Sequence, residues 1–303
     1  MSRRLALLFV LLGFALTLPA SAAETARPGR QGGGVTLLPN GWRIAPAGRH
    51  IPVGDLPLAM AESPDGARLV VSNNGYSKPS LSVVDPQRFT VPATVPLENA
   101  WLGLAWHPDG KRLWVSGGGA NTVQELKVTD KGLEPGAVVQ LKKVSDESFV
   151  GGLSISPDGS RLFAVHALGK LLSAVDLAAG KVVKEAELPA EGYTTLVSAD
   201  GKTVYVSLWG GAKVLLFDAE TLAPSGEIAV GEHPNAMAFS KDGGRLFVAC
   251  ANTNEVWVAD LATRTAKERI SIALDPAAPP GSTPNGLGLS PDGKTLLVAD
   301  ADN

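Results

Sequence analysis

A four-residue turn recurs six times along this chain, and that recurrence restricts the fold more than any other feature. The copies are Ser63-Pro64-Asp65-Gly66, His107-Pro108-Asp109-Gly110, Ser156-Pro157-Asp158-Gly159, Ser198-Ala199-Asp200-Gly201, Ser240-Lys241-Asp242-Gly243 and Ser290-Pro291-Asp292-Gly293. Serine at the first position can bond the backbone ahead, and proline presets φ at the second. Aspartate suits the third, and glycine takes the left-handed conformation that feeds a bulge into the return strand. Successive aspartates lie 44, 49, 42, 42 and 50 residues apart. Apolar runs flank the turns, as Gly152-Leu153-Ser154-Ile155 and Leu162-Phe163-Ala164-Val165 do for the third copy. A strand–turn–strand unit with a period of roughly 40–50 residues predicts an all-β fold: a β-propeller of four-stranded blades, with about six blades represented.

Many of the expected strands are apolar on both faces. That pattern suits sheets covered on both sides, as each blade is by its neighbours. The third strands of four blades end in Asp85, Asp176, Asp218 and Asp260. An aspartate there bonds the backbone just ahead of it, and its recurrence follows from the repeat rather than from a metal cluster. Ahead of the first repeat, short strands are expected at 35–38, 42–45 and 50–53.

Of the 303 residues, 45% are hydrophobic and the net charge is −3. This gives ample core, and no broad basic field to hold nucleic acid or anionic lipid. Arg3 and Arg4, an apolar run over 5–18 and the small residues Ala20-Ser21-Ala22 read as a secretory signal peptide spanning 1–22. The apolar run is short for a membrane span. The expectation is therefore a periplasmic or secreted protein with no span after signal cleavage. Residues 23–34, with their Pro, Gly and Arg, read as a flexible linker, and 35–303 as the propeller. Cys250 is the sole cysteine; it sits in an apolar strand and is expected to be a packed, inert thiol.

The Asp-Gly turns all fall on one face of such a ring. The opposite face carries the loops after each second strand and before each first strand, and loops on a rigid scaffold are the usual seat of binding. Trp101, Phe149, Tyr193 and Trp209 collect there, with His166, His233 and Asn235. These seven are the candidate contacts for an unidentified ligand or protein. Each type also has a packing role: aromatic rings fill gaps between blades, and Asn and His bond backbone. Glu191, Glu232 and His233 are the acid–base types, on two separate loops. Gly117-Gly118-Gly119 follows a strand without opening a helix, so it is not a phosphate loop. No zinc-type Cys/His spacing and no Gly-x-Ser-x-Gly elbow is present, and no catalytic residue, metal or cofactor is assigned.

The stretch from Val230-Gly231-Glu232-His233-Pro234-Asn235-Ala236 through Leu246-Phe247-Val248-Ala249-Cys250 to Val256-Trp257-Val258-Ala259-Asp260 resembles the YVTN-repeat, or YncE-like, β-propellers. A narrower match covers Leu38-Pro39-Asn40-Gly41-Trp42-Arg43-Ile44, Gly54-Asp55-Leu56-Pro57-Leu58 and Ser72-Asn73-Asn74-Gly75. It is similar to exported bacterial proteins in which such a ring precedes an alkaline-phosphatase-superfamily phosphoesterase domain. The resemblance implies a seven-bladed parent ring and a chain truncated at Asn303, where the repeat calls for a third strand. A rival reading has the N-terminal strands completing blade six. The function implied is a noncatalytic binding or scaffolding module. The alternative is a hydrolase: a propeller lactonase, or phosphoesterase activity residing in an absent C-terminal domain.

Overall fold

The computed structural model describes residues 27–45, 48–130, 132–143, 147–273, 275, 277 and 279–301. The leader expected over 1–22 and the first residues of the linker lie outside these. The chain divides into two compact units at His50/Ile51. The first holds a three-stranded antiparallel sheet of β1 (Gly29–Gly32), β2 (Val35–Leu37) and β3 (Arg43–Ile44). β1 falls in the stretch expected to be linker; it pairs with β2, Gly29 opposite Leu37. Residues 50–53, expected as a strand, carry none. Pro52 has no N–H to give to a ladder.

The second unit is a succession of antiparallel sheets, one for each turn copy. Blade one is β4 (Pro57–Glu62), β5 (Leu69–Asn73), β6 (Ser80–Asp85) and β7 (Thr90–Pro96). Blade two is β8 (Leu104–Trp106), β9 (Arg112–Ser116), β10 (Thr122–Thr129) and β11 (Gly132–Gln140). Blade three is β12 (Val150–Ile155), β13 (Arg161–His166), β14 (Leu171–Asp176) and β15 (Lys181–Glu187). Blade four is β16 (Thr195–Val197), β17 (Thr203–Leu208), β18 (Lys213–Asp218) and β19 (Pro224–Ala229). Blade five is β20 (Pro234–Phe239), β21 (Arg245–Cys250), β22 (Glu255–Asp260) and β23 (Thr265–Ser271). The sixth sheet holds β24 (Pro284–Leu289) and β25 (Leu296–Asp300). Within each sheet the strands lie in chain order, and the first strands of successive blades touch one another. These are the blades of a β-propeller. Among the described residues no helix is long and apolar enough to cross a membrane.

The turns form as their residues dictate. In blade one the Ser63 carbonyl accepts Gly66 N–H at 2.8 Å, and Gly66 takes φ 67°. Ser63 Oγ–H donates to Asp65 Oδ1 at 2.6 Å, while Oγ accepts Arg68 N–H at 2.9 Å. The same Ser–Asp bond recurs at Ser156, Ser198, Ser240 and Ser290, including the two turns without proline. His107 substitutes with Nδ1, which accepts Asp109 N–H at 3.2 Å. The third-strand aspartates do local work too: Asp85 Oδ1 accepts Gln87 and Arg88 N–H, and Asp218 Oδ1 accepts Glu220 and Thr221 N–H.

The core lies between blades and follows a fixed register. Four residues after each turn glycine stand Val70, Trp114, Phe163, Tyr205, Phe247 and Leu297. The first five are buried against the following blade, Phe163 on Val204 and Phe217 and Phe247 on Leu287 and Leu296. Three residues before each turn's first position stand Met60, Leu104, Leu153, Thr195, Met237 and Leu287. Leu104, Leu153, Met237 and Leu287 pack with the preceding blade's side chains. Met60 in the first sheet is 66% exposed and Leu297 in the last is 65% exposed. Within the second unit, the equivalent positions are buried or partly buried where a neighbouring blade packs on that side, and exposed at Met60 and Leu297 of the first and last sheets. Cys250 is buried and free, and burial pushes its thiol up to about 12.

Two outcomes follow. Phe247→Ala should cost about 3–5 kcal/mol in chemical denaturation, whereas Leu297→Ala should stay within about 0.5 kcal/mol, although the two share a register. Equal costs would refute the packing scheme. The Ser156 hydroxyl is the largest influence holding the Asp158 carboxyl down to about 2. A depressed carboxylate contributes stability above its unfolded pKa, which is lost as pH falls through the folded value. For Asp158 that loss should run from about pH 4 down to about pH 2. Carboxyl NMR should place its midpoint near 2 and move it upward in Ser156→Ala; an ordinary midpoint in the parent would contradict the turn geometry.

Candidate functional site

The end of the blades opposite the Asp-Gly turns gathers aromatic side chains from successive loops. Tyr193 enters blade four, with its N–H donated to Ser207 O at 2.9 Å and its carbonyl accepting Gly152 N–H at 3.0 Å. Both backbone polar groups are thereby fixed to neighbouring strands. Trp209 opens a short 3₁₀ turn, Trp209–Gly211, ended by Ala212 in the left-handed conformation. Gly210 N–H donates to Glu191 O at 3.2 Å, which ties this turn to the loop bearing Tyr193. His233 enters blade five with φ 53° and accepts Ala251 N–H on its carbonyl at 3.1 Å. A left-handed φ costs a non-glycine residue, so the surrounding bonds must hold it there.

These three rings form one contiguous run. Tyr193 and Trp209 stack, with centroids 5.6 Å apart and planes at 22°. Trp209 meets His233 edge-to-face at 4.6 Å and 77°. Each ring is partly exposed, and His233 Nδ1 is buried without a hydrogen-bond partner. Burial raises the Tyr193 hydroxyl above its ordinary range, so it stays a neutral donor. A second pair, Trp101 and Phe149, meets edge-to-face at 5.1 Å. Gly118 lies under it with φ 55°, and a Cβ there would come 3.0 Å from the Phe149 ring. The glycine run thus makes room for an aromatic ring.

The other candidates lie deeper. Asn235 is 1% exposed: its Nδ2 donates to Pro284 O at 2.7 Å and its Oδ1 accepts Ala236 N–H at 2.6 Å. It fastens blade five to the sixth sheet. His166 is fully buried, with Nδ1 3.0 Å from Ser148 Oγ and Nε2 3.0 Å from Ser173 Oγ. Burial pushes it down to about 4, against the opposing charge of Glu185, so the ring is neutral. Glu191 is paired with Lys170 at 3.2 Å on the exposed surface.

Sequence reasoning missed Ser148, Ser173 and Glu185 as companions of His166. Strand register brings them together: Ser173 pairs with Glu185 across β14 and β15, and His166 ends β13 alongside β14. The missed residues carry no motif, since the spacing is set by loop lengths.

No protein-family model matches the chain. Antigen Lp49 of Leptospira interrogans serogroup Icterohaemorrhagiae serovar copenhageni is 24% identical over 183 residues, covering 54% of this chain. This chain spans 38% of that relative's length. Kuenenia stuttgartiensis hydrazine synthase matches in structure with TM-score 0.65 at 20% identity, over 83% of this chain and 76% of the other. A functionally unknown protein from Desulfotomaculum acetoxidans matches with TM-score 0.62 at 19% identity, over 71% and 72%. The two structural likenesses, with the succession of four-stranded sheets, fit a β-propeller-like all-β fold. At such identities they carry the fold alone, and one propeller can host unrelated chemistries.

Proposed function

We propose that this chain is an exported, YncE-like propeller that captures a ligand or protein partner on its aromatic loop face. The observation that carries this reading is the contiguous Tyr193–Trp209–His233 run, built from three loops whose backbones are anchored to strands. Partly exposed, rigid aromatic side chains give large contact area at low entropic cost. The leader-like residues 1–22 support export from the cytoplasm, and the designation of a distant relative as an antigen fits an exported chain. The module serves as the ring portion of a larger, phosphoesterase-linked protein. This rests on the resemblance at residues 38–44 and 54–58.

Two measurements test the reading. Cell fractionation with intact-mass analysis should find the protein outside the cytoplasm and shortened by about 22 residues; full-length cytoplasmic protein would contradict it. A fragment library screened by NMR should give hits that cluster on Tyr193, Trp209 and His233. Those hits should vanish in the Trp209→Ala/His233→Ala double variant, with the unfolding temperature shifted by less than about 4 °C. Hits scattered over the surface, or unchanged in the variant, would sink it.

A further inference from the structure

A polar chain runs through blade three beside a pocket, separate from the aromatic run. Lys142 Nζ lies 2.7 Å from Glu185 Oε2. Glu185 Oε1 accepts the Ser173 hydroxyl at 3.4 Å. A hydroxyl has one proton, which Ser173 gives either to Glu185 or to His166 Nε2. With that proton turned toward Glu185, Ser173 Oγ accepts from His166 Nε2, 3.0 Å away. A neutral imidazole carries one N–H. With Nε2 protonated, Nδ1 presents its lone pair, and the group facing it at 3.0 Å is Ser148 Oγ. In the reverse tautomer Ser173 donates to Nε2 and Ser148 accepts; in this one Ser148 is the donor to Nδ1.

That polarity is the one a serine nucleophile needs: a neutral base oriented by hydrogen bonds, with its free nitrogen on the hydroxyl. Ser148 is partly exposed and lines a pocket of about 380 Å³ with Lys142, Lys143, Glu147, Gly169 and Leu171. Gly169 crosses close to the serine; a Cβ there would lie 3.2 Å from Ser148 Oγ. A side chain at 169 would crowd the hydroxyl, and glycine does not. His166, by contrast, has no exposed surface, so water does not compete for Nδ1.

The geometry points to Ser148 as an acyl-accepting nucleophile, with His166 as its general base and Ser173 and Glu185 as positioning residues, acting on small carboxylic esters. Ser148 Oγ attacks the ester carbonyl carbon and its proton passes to His166 Nδ1. The carbon–oxygen bond to the alcohol breaks, and the alcohol leaves with that proton. Water then attacks the acyl-serine, giving one proton to His166, which returns it to Ser148 Oγ as the carboxylic acid departs. Lys143 lines the same pocket and supplies positive charge for the oxyanion. This site does not depend on the aromatic loop face, so either can fail without the other.

The test uses a fluorophosphonate probe on the full chain, with peptide mass spectrometry to locate the adduct. Ser148 Oγ bonds to phosphorus, fluoride leaves, and the proton goes to His166. Labelling at Ser148 should fall at least about tenfold in His166→Gln, and Ser148→Ala should abolish the adduct. His166 is buried, so its variant risks unfolding; Ser173→Ala and Glu185→Gln provide the second reading. Each frees the tautomer and should slow labelling several-fold with circular dichroism unchanged. In Glu185→Gln the labelling-rate profile should also shift to lower pH. The Glu185 charge raises the His166 pKa while Lys142 lowers it, a signature that a merely structural role would not move. Absence of an adduct at Ser148 overturns the assignment. So does labelling that the Ser173 and Glu185 variants leave unchanged.

Discussion

The apolar contact between one blade's second strand and the blade that follows is the interaction on which this molecule depends. A four-stranded sheet of this size cannot bury its own faces. Each face finds cover only on a neighbour, and the cover comes from the same register each time. Trp114, Phe163, Tyr205 and Phe247 are nearly inaccessible where another sheet lies against them. Leu297, at the equivalent place, is not. The free energy of the fold is thus spread over interfaces between near-identical modules, as in other repeat architectures.

The turns serve that packing. The Ser–Asp bond and the left-handed glycine make a hairpin with fixed register, and register decides which side chains face which neighbour. One slipped residue would turn Phe163 away from Val204 and Phe217. With the strands held, the opposite ends of the blades are free to vary. Rings can be arranged there at little cost to the core: Trp209 against Tyr193 on one loop pair, and Phe149 over Gly118 on another.

The repeat was legible from six turns alone, because its chemistry is local: serine, aspartate and glycine act within a few residues. Most strands followed from it. Two local expectations fared differently. Residues 50–53 form no strand despite their apolar content, and Gly29–Gly32 form one despite their glycines, through pairing with Val35–Leu37. Pairing partners decide such marginal segments, and composition does not reveal them. The candidate site was half legible. Loop position gathered Tyr193, Trp209 and His233, whose rings touch, but it could not separate them from Asn235, whose amide is consumed by Pro284 and Ala236. The Ser148–His166–Ser173–Glu185 chain was not legible at all. It depends on cross-strand register, which no local pattern displays.

Native-state hydrogen exchange measures the central claim most directly, because it reports the opening free energy of each strand separately. The second strands of the enclosed blades, Arg161–His166 and Thr203–Leu208, should exchange slowest. Pro57–Glu62 and the Pro284–Leu289/Leu296–Asp300 pair should exchange fastest, since each belongs to an end sheet of the second unit and carries an exposed apolar position, Met60 and Leu297 respectively. Uniform protection across all sheets, or greatest protection in the first and last, would show that packing between blades does not govern the fold.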